Sequence, residues 1–317
     1  MSAEVWIDGA FVPAAEASVP LLSHALHYGT AVFEGIRVYD TPAGPAVFRH
    51  REHLDRLARS AALYAMDVPY SPEQLRAATH ELVRRSGLRA CYVRPLVFRA
   101  EGTMTVSPLA ARVAVAIAVW EWGSYLGEDG KRDGVRAKVS SWRRLGGDAV
   151  LPAAKASGHY LNAVLAKLET ERAGYDEGIL LDQRGMVSEG TGENVFLVRD
   201  GTLVTPAISA SILDGITRSS VIVIARDLGV AVVERDVPRQ ELYLADELFV
   251  TGTAAELTPV REIDDRPVGD GRPGALTRRL QRALEDALHG RSERYRAWND
   301  VVGERSPSST SAAGPVR

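Results

Sequence analysis

No uninterrupted apolar run in this chain is longer than Val113–Trp120, VAVAIAVW. Spanning a bilayer as a helix takes about 18 such residues, whereas a strand takes roughly three to ten. The run therefore reads as a buried strand of a soluble protein. Every element has to be short, and the core has to be assembled by layering strands and amphipathic helices. A chain of 317 residues has room for two such units or one large one.

The best joint between two units is the glycine-rich, charged segment GSYLGEDGKRDG, residues 123–134. It separates a small N-terminal domain, 1–122, from a larger one, 135–303. The Ser/Pro/Ala/Gly-rich remainder, 304–317, reads as a disordered tail. In the first unit, Asp8-Gly9 between Val5–Ile7 and Phe11–Val12 predicts a hairpin with a type I′ turn. Leu54, Leu57, Ala61 and Tyr64 stripe a helix over His50–Met66, and Arg56 falls off that stripe as a solvated residue would. Ser71-Pro72-Glu73-Gln74 is a helix start in the capping-box pattern, with Gly87 as its stop. Cys91–Ala100 is a strand with Tyr92, Arg94 and Leu96 on one face.

In the second unit Val135–Ser141, Gly178–Leu181, Val195–Val198, Val230–Val233 and Glu247–Val250 read as strands. Leu161, Val164, Leu165 and Leu168 stripe a helix ending near Gly174. An apolar helix occupies Val221–Leu228, and Leu276, Leu280, Leu284 and Leu288 stripe a last one. SEGTGEN, residues 188–194, reads as a tight loop that could hold a carboxylate.

The chemistry starts from one lysine. The chain uses thirty-four arginines but only Lys131, Lys138, Lys155 and Lys167, and Lys155 stands in the small-residue run LPAAKASGHY, 151–160. An amine can lose its proton when desolvated and attack a carbonyl, which a guanidinium cannot do. Two glycine turns, Gly215-Ile216-Thr217 and Gly252-Thr253-Ala254, could offer backbone N–H groups to a phosphate. No GxxxxGK[ST], HExxH or GxSxG pattern is present, and no GxGxxG follows a strand read from the sequence. Glu189 and Glu193 are separated only by flexible loop residues, which argues against a glycosidase pair. His24/His27 and His50/His53 are spaced i, i+3 but lack a third ligand at a telling distance, so no metal site is expected. A net charge of -3 gives no electrostatic case for nucleic acid or membrane, and a lone Cys91 fits a reducing cytoplasm.

Seven segments in this order resemble the fold-type IV pyridoxal-phosphate enzymes, and within them the branched-chain amino acid aminotransferases. They are SHALHYGTAVFEGIR (23–37), FRHREHLDRL (48–57), YVRPLVF (92–98), LPAAKASGHYLN (151–162), SEGTGENVF (188–196), LDGITR (213–218) and GTAAELTPVR (252–261). The resemblance implies a two-domain α/β architecture whose larger domain is built on a pseudo-barrel sheet. It implies pyridoxal 5'-phosphate as cofactor, amino acids and 2-oxo acids as substrates, and a homodimer or higher homo-oligomer with the active site at the subunit interface. Lys155 would hold the cofactor aldehyde, Glu189 the pyridine nitrogen, and Tyr160 would stand beside the phenolic oxygen. Arg56, Ile216, Thr217 and Thr253, with Leu213 and Gly215 alongside, would bind the cofactor and its phosphate. Tyr92 and the Thr253-Ala254 loop would receive the substrate α-carboxylate, and Arg94 the second carboxylate of glutamate. Tyr28, Phe33, Trp122 and Tyr125 would line the side-chain pocket, joined by Met104 and Val106 from the neighbouring subunit.

The departures from that pattern are Asp214 where proline is common, GTMTVSP at 102–108 in place of a glycine-richer loop, and His159 in place of a common asparagine. Asp214 is expected to N-cap the helix after it. The implied activity is transamination of L-leucine, L-isoleucine and L-valine with 2-oxoglutarate. A D-amino-acid transaminase, an aminodeoxychorismate lyase, a transaminase of specialised metabolism and a catalytically silent scaffold remain as alternatives.

Overall fold

The computed structural model describes residues 4–123 and 125–303. Asp8 and Gly9 both take positive φ, 44° and 93°, as a type I′ turn requires, and join β1 (Glu4–Ile7) to β2 (Ala10–Pro13). A short helix, α1 (His24–Tyr28), leads to β3 (Ala31–Phe33), β4 (Ile36–Thr41) and β5 (Gly44–Phe48). Helices α2 (His50–Leu63) and α3 (Pro72–Ser86) follow, then β6 (Cys91–Arg99) and β7 (Val113–Trp120). Ser71 and Gln74 form the expected capping box, and Gly87 ends α3 in the left-handed region. The sheet runs β5-β4-β6-β7-β1-β2, with β3 also on β6. The long apolar run lies at its centre, paired in register with β6 from Tyr92↔Trp120 to Arg99↔Val113. Leu54, Leu57 and Ala61 of α2 and Leu75 and Leu82 of α3 cover it in one core.

Helix α4 (Gly127–Asp133) precedes the second sheet, which comprises β8 (Val135–Arg143), β9 (Glu177–Leu181), β10 (Val187–Gly190), β11 (Asn194–Arg199), β12 (Thr202–Pro206), β13 (Val232–Arg235), β14 (Glu247–Gly252), β15 (Glu256–Ile263) and β16 (Arg266–Pro267). The order β10-β9-β8-β15-β14-β11 closes on itself because β10 also pairs with β11, through the single pair Glu189↔Asn194. This is the barrel-like sheet expected for the fold. Helices α5 (Tyr160–Arg172), α6 (Ile216–Asp227), α7 (Glu241–Leu244) and α8 (Ala275–Leu288) decorate it. The stacked rings of Phe196 and Phe249 meet Val221, Ile224, Leu280 and Leu284 of α6 and α8 in a further core.

Four readings need correction. Segment 123–134 is not a bare linker, because Gly127–Asp133 of it forms α4, whose Glu128 and Asp129 sit at the N-terminal end and Lys131 and Arg132 at the other, complementing the helix dipole. The span 135–303 is not confined to the second sheet: β17 (Asn299–Val301) returns to pair with β5. Helix α5 does not bury its apolar stripe. Leu161, Val164, Leu165 and Leu168 face outward, while Asn162, Ala163, Ala166 and Thr170 pack inward, small enough to let the helix lie close on β8 and β9. SEGTGEN is a β-hairpin rather than a loop, so Glu189 stands on a strand. Residues 304–317 lie outside the described part. No helix among the described residues is long and apolar enough to cross a membrane.

Candidate active site

Lys155 is held by its backbone before its side chain is considered. Its N–H donates to Ser60 Oγ of α2 at 3.1 Å, its carbonyl accepts from Phe33 N at 3.0 Å, and Ala156 bridges to Val32. Ala154 and Ala156 sink into the first core. Gly158 passes so near Gly29 that a Cβ on Gly29, already at φ 67°, would stand 3.0 Å from Gly158 Cα. The small residues around the lysine thus let the loop wedge between the two sheets. Lys155 Nζ donates to Tyr160 Oη at 2.7 Å, and the Tyr160 ring lies 4.9 Å from Phe33.

These groups open on a cavity of about 240 Å³. One end is made by Arg56, Gly215, Ile216, Thr217 and Thr253, with Leu213 beside them. Gly215 is the N-cap of α6 and no side chain caps the helix, so its first-turn N–H groups stay open. A Cβ at Gly215 would collide with Asn194 Oδ1. The expected capping role of Asp214 is therefore wrong: its side chain is exposed, and it is its carbonyl that takes part, accepting from Arg56 Nη1 at 2.8 Å.

Arg56 is buried rather than solvated. Nε and Nη2 donate to Glu34 Oε1 and Oε2 at 2.6 and 2.8 Å, and His53 Nδ1 stands 2.7 Å from Glu34 Oε2. Glu34 is wholly buried. Burial pushes its carboxyl up, but the Arg56 charge and hydrogen bonds, with His53, outweigh that and hold it well below the usual carboxylate range. A carboxylate can only accept, so His53 donates through Nδ1. Three of the five N–H groups of Arg56 are spent inside the protein, leaving two for a ligand at the open helix end.

The other end carries Arg94, Tyr92, Phe33, Trp122, Tyr125 and Ala254. The Arg94 guanidinium lies 4.6 Å from the Phe33 ring centre, 5.6 Å from Tyr92 and 5.8 Å from Trp120. Among the described residues no carboxylate pairs with it, and its Nε and Trp122 Nε1 are buried donors without acceptors. Three basic side chains, Arg56, Arg94 and Lys155, line this cavity against one acidic one, Glu193.

Glu189 lies behind the main cavity, in a smaller chamber that Lys155, Tyr160 and Leu213 also line. Its Oε2 accepts from Leu213 N at 2.9 Å, and Arg144 Nε is 2.7 Å from Oε1, close enough for an ion pair though poorly aligned for a hydrogen bond. His159 lines the same chamber; burial pulls its imidazole down to about 4 and it bonds Tyr64 Oη at 2.7 Å. Tyr28, Met104 and Val106 do not line the cavity. Tyr28 Oη donates to the Met104 carbonyl at 2.8 Å on an exposed face.

Sequence reasoning missed Glu34, His53, Arg144 and Asn194, all of which act through residues it did find. The histidines at i, i+3 do not share a ligand: His24 bonds Thr30 and the Thr105 carbonyl, and His53 bonds Glu34. The fold does gather His50 and His80 on Asp300, at 2.9 and 3.0 Å, where the Arg76 guanidinium also grips the carboxylate and occupies the place of a cation.

The donor set, an uncapped helix end plus a half-free arginine at one end and an amine paired to a phenol in the same cavity wall, fits a phosphorylated aldehyde. Comparison with known proteins agrees. The family model of class IV amino-transferases matches residues 31–263. The branched-chain-amino-acid aminotransferase of Escherichia coli K12 is 46% identical over 95% of this chain and 97% of its own, and that of Pseudomonas aeruginosa 42% over 94% and 97%. The crystal structure of the Escherichia coli enzyme superposes with a TM-score of 0.94 over 96% of this chain and 100% of that one, at 46% identity. That of the branched-chain amino acid aminotransferase from Thermobaculum terrenum, in its PLP-form, superposes at 0.90 over 96% and 99%, at 38% identity. The chain therefore belongs to the class IV aminotransferases, which transfer amino groups with pyridoxal 5'-phosphate.

Proposed function

We propose that this chain is a branched-chain amino acid transaminase, moving the amino group of L-leucine, L-isoleucine or L-valine to 2-oxoglutarate in the cytoplasm. The observation that carries this reading is Arg94: a guanidinium without an acidic partner among the described residues, set among aromatic rings in the cavity wall. An apolar box with one cation can take an aliphatic side chain in one half of the cycle and the distal carboxylate of glutamate in the other.

Arg56, Ile216, Thr217 and Thr253 hold the phosphate, and Glu189 holds the ring nitrogen. When bound, the cofactor supplies an electron sink for the charge that develops at the substrate Cα. Lys155 Nζ would take the proton from the substrate Cα and deliver it on the far side of the substrate nitrogen, and Tyr160 Oη, 2.7 Å distant, keeps the amine pointed at that path. Tyr92 and the Thr253-Ala254 loop receive the α-carboxylate. Phe33, Trp122 and Tyr125 exclude water from the side chain. Tyr28, Met104 and Val106 serve a second copy: Val106 is 79% exposed here, and Leu26 of α1 and Leu21 just before it are also bare, an apolar face suited to an interface where Met104 and Val106 reach the partner's pocket.

Absorbance tests the reading. The cofactor-loaded protein is yellow, its band moves to shorter wavelength with L-leucine, and 2-oxoglutarate restores it. Borohydride reduction tags Lys155. A colourless protein, or a tag elsewhere, refutes the assignment; conversion of D-alanine but not L-leucine moves the chain to the D-amino-acid branch of the fold.

A further inference from the structure

Glu256 is an unusual residue to find one step past the substrate loop. It begins β15 at φ 54°, in the left-handed region that a residue other than glycine occupies only at a cost. It is 9% exposed, yet it is charged. Oε1 is 3.1 Å from Arg37 Nη1 on β4 of the first sheet, and Oε2 is 2.6 Å from Lys131 Nζ on α4. Burial pushes its carboxyl up, and Arg37 and Lys131 outweigh that to bring it below the ordinary range.

One carboxylate thus ties together three pieces of the chain that approach the cavity from different sides. Its own strand carries the Gly252–Ala255 turn, pinned by the Gly252↔Glu256 pair and by Thr251 Oγ1 donating to the Glu256 carbonyl at 2.6 Å. Arg37 stands opposite Tyr92 in the β4–β6 register and reaches the Trp122 carbonyl through Nη2 at 3.4 Å. The Lys131 carbonyl accepts from Gln281 Nε2 at 3.0 Å, and the same nitrogen donates to the Leu257 carbonyl, so α4 is tied down on both sides of its lysine. The void behind this cluster is about 10 Å³, room for one water at most, so it is packed as a joint. Without Glu256, Arg37 and Lys131 would face each other as like charges beneath the loop that takes the α-carboxylate.

We propose that Glu256 is a positioning residue that clamps Trp122 and α4 against the Thr253-Ala254 turn and so sets the width of the substrate side of the cavity. The proposal rests on the transaminase reading above. The Glu256 carboxylate bonds Arg37 and Lys131 and not Arg56, but the turn it holds also carries Thr253 of the phosphate cup and its void reaches Thr217, so loosening it should weaken the hold on substrate more than cofactor retention.

The test is steady-state kinetics of the holoenzyme as Glu256→Gln, Lys131→Met and Lys131→Arg. Glu256→Gln raises KM for L-leucine and for 2-oxoglutarate by roughly tenfold with kcat within about twofold. Lys131→Met does the same, Lys131→Arg restores the parental KM, and the Glu256→Gln/Lys131→Met double variant is no worse than either single one. Limited digestion with trypsin gives a readout free of turnover: cleavage after Arg132 is faster in Glu256→Gln holoenzyme than in the parent. If Glu256→Gln fails to fold, Lys131→Met carries the test from a partly exposed site. Unchanged or lowered KM with parental trypsin resistance overturns the clamp. Loss of kcat and cofactor content together, at constant KM, overturns it too and assigns Glu256 a merely structural role. A parental enzyme inactive on L-leucine sinks the transaminase reading instead.

Discussion

Replacing Glu34 with glutamine removes one charge from a place water does not reach. In the folded protein Glu34 is wholly buried, Arg56 is 5% exposed, and the two share bonds of 2.6 and 2.8 Å while His53 adds one of 2.7 Å. A glutamine can accept through one oxygen only, and its amide would point donors at donors. Removing one partner of a buried pair costs about 3–5 kcal/mol, because the charge left behind stays desolvated. For a chain of 317 residues that lowers the thermal midpoint by roughly 5–8 °C. The damage has a specific remedy, since an anion at the open end of α6 would face the orphaned guanidinium. Melting the cofactor-free variant in phosphate-free buffer and again in excess inorganic phosphate should therefore show a larger deficit without phosphate than with it. The contribution is fully present above the ordinary carboxylate value of 4.5 and is lost as pH falls below it, because the folded carboxyl titrates lower still. A deficit below about 1 kcal/mol, or one that phosphate leaves unchanged, would refute the claim that Glu34 is what keeps Arg56 charged and aimed.

Other outcomes follow from the same geometry. Arg94→Met should raise KM for 2-oxoglutarate at least about tenfold while leaving L-leucine within a few-fold, measured as the ratio of the two kcat/KM values. Lys155→Ala should abolish turnover, and full activity in that variant would mean another amine does the work. Glu193 gives a pH signature: burial first, and then Glu177, push its carboxyl up to about 8, although Lys167 and the Gly192 N–H pull the other way. The folded state then keeps a proton that the unfolded chain releases above about 4.5, so this stabilisation is whole below that value and is lost as pH rises through about 8. Glu193→Gln should flatten the fall of the thermal midpoint between those limits, and an unchanged slope would count against it.

Much of the site was legible because its residues sit in runs whose composition has a local cause. The small residues around Lys155 marked a place where an amine could be desolvated, and the close approach of Gly158 to Gly29 shows what else their size allows. The glycine turns at 215 and 252 announced open N–H groups. What stayed hidden depends on partners far away in sequence. Arg56 lies off its helix's apolar stripe and looks solvated until Glu34, from the turn before β4, folds over it. Glu256–Ile263 contains Pro259 and three charged side chains, a poor composition for a central strand, yet β15 sits between β14 and β8, with Pro259 paired opposite Phe249. The stripe on α5 was visible, but a 3.6-residue period marks an apolar face without saying whether the chain itself covers it.

The barrel-like sheet is fastened at one residue pair, Glu189 with Asn194. Those two side chains also hold the Leu213 amide and carbonyl, at 2.9 Å each, and Asn194 leaves no room for anything but glycine at 215. Buckle and socket are therefore the same few atoms. A lineage cannot widen this socket for a bulkier ring without undoing the buckle, so any drift towards new amino donors has to be written on the opposite rim, in Tyr92, Arg94, Trp122 and Tyr125.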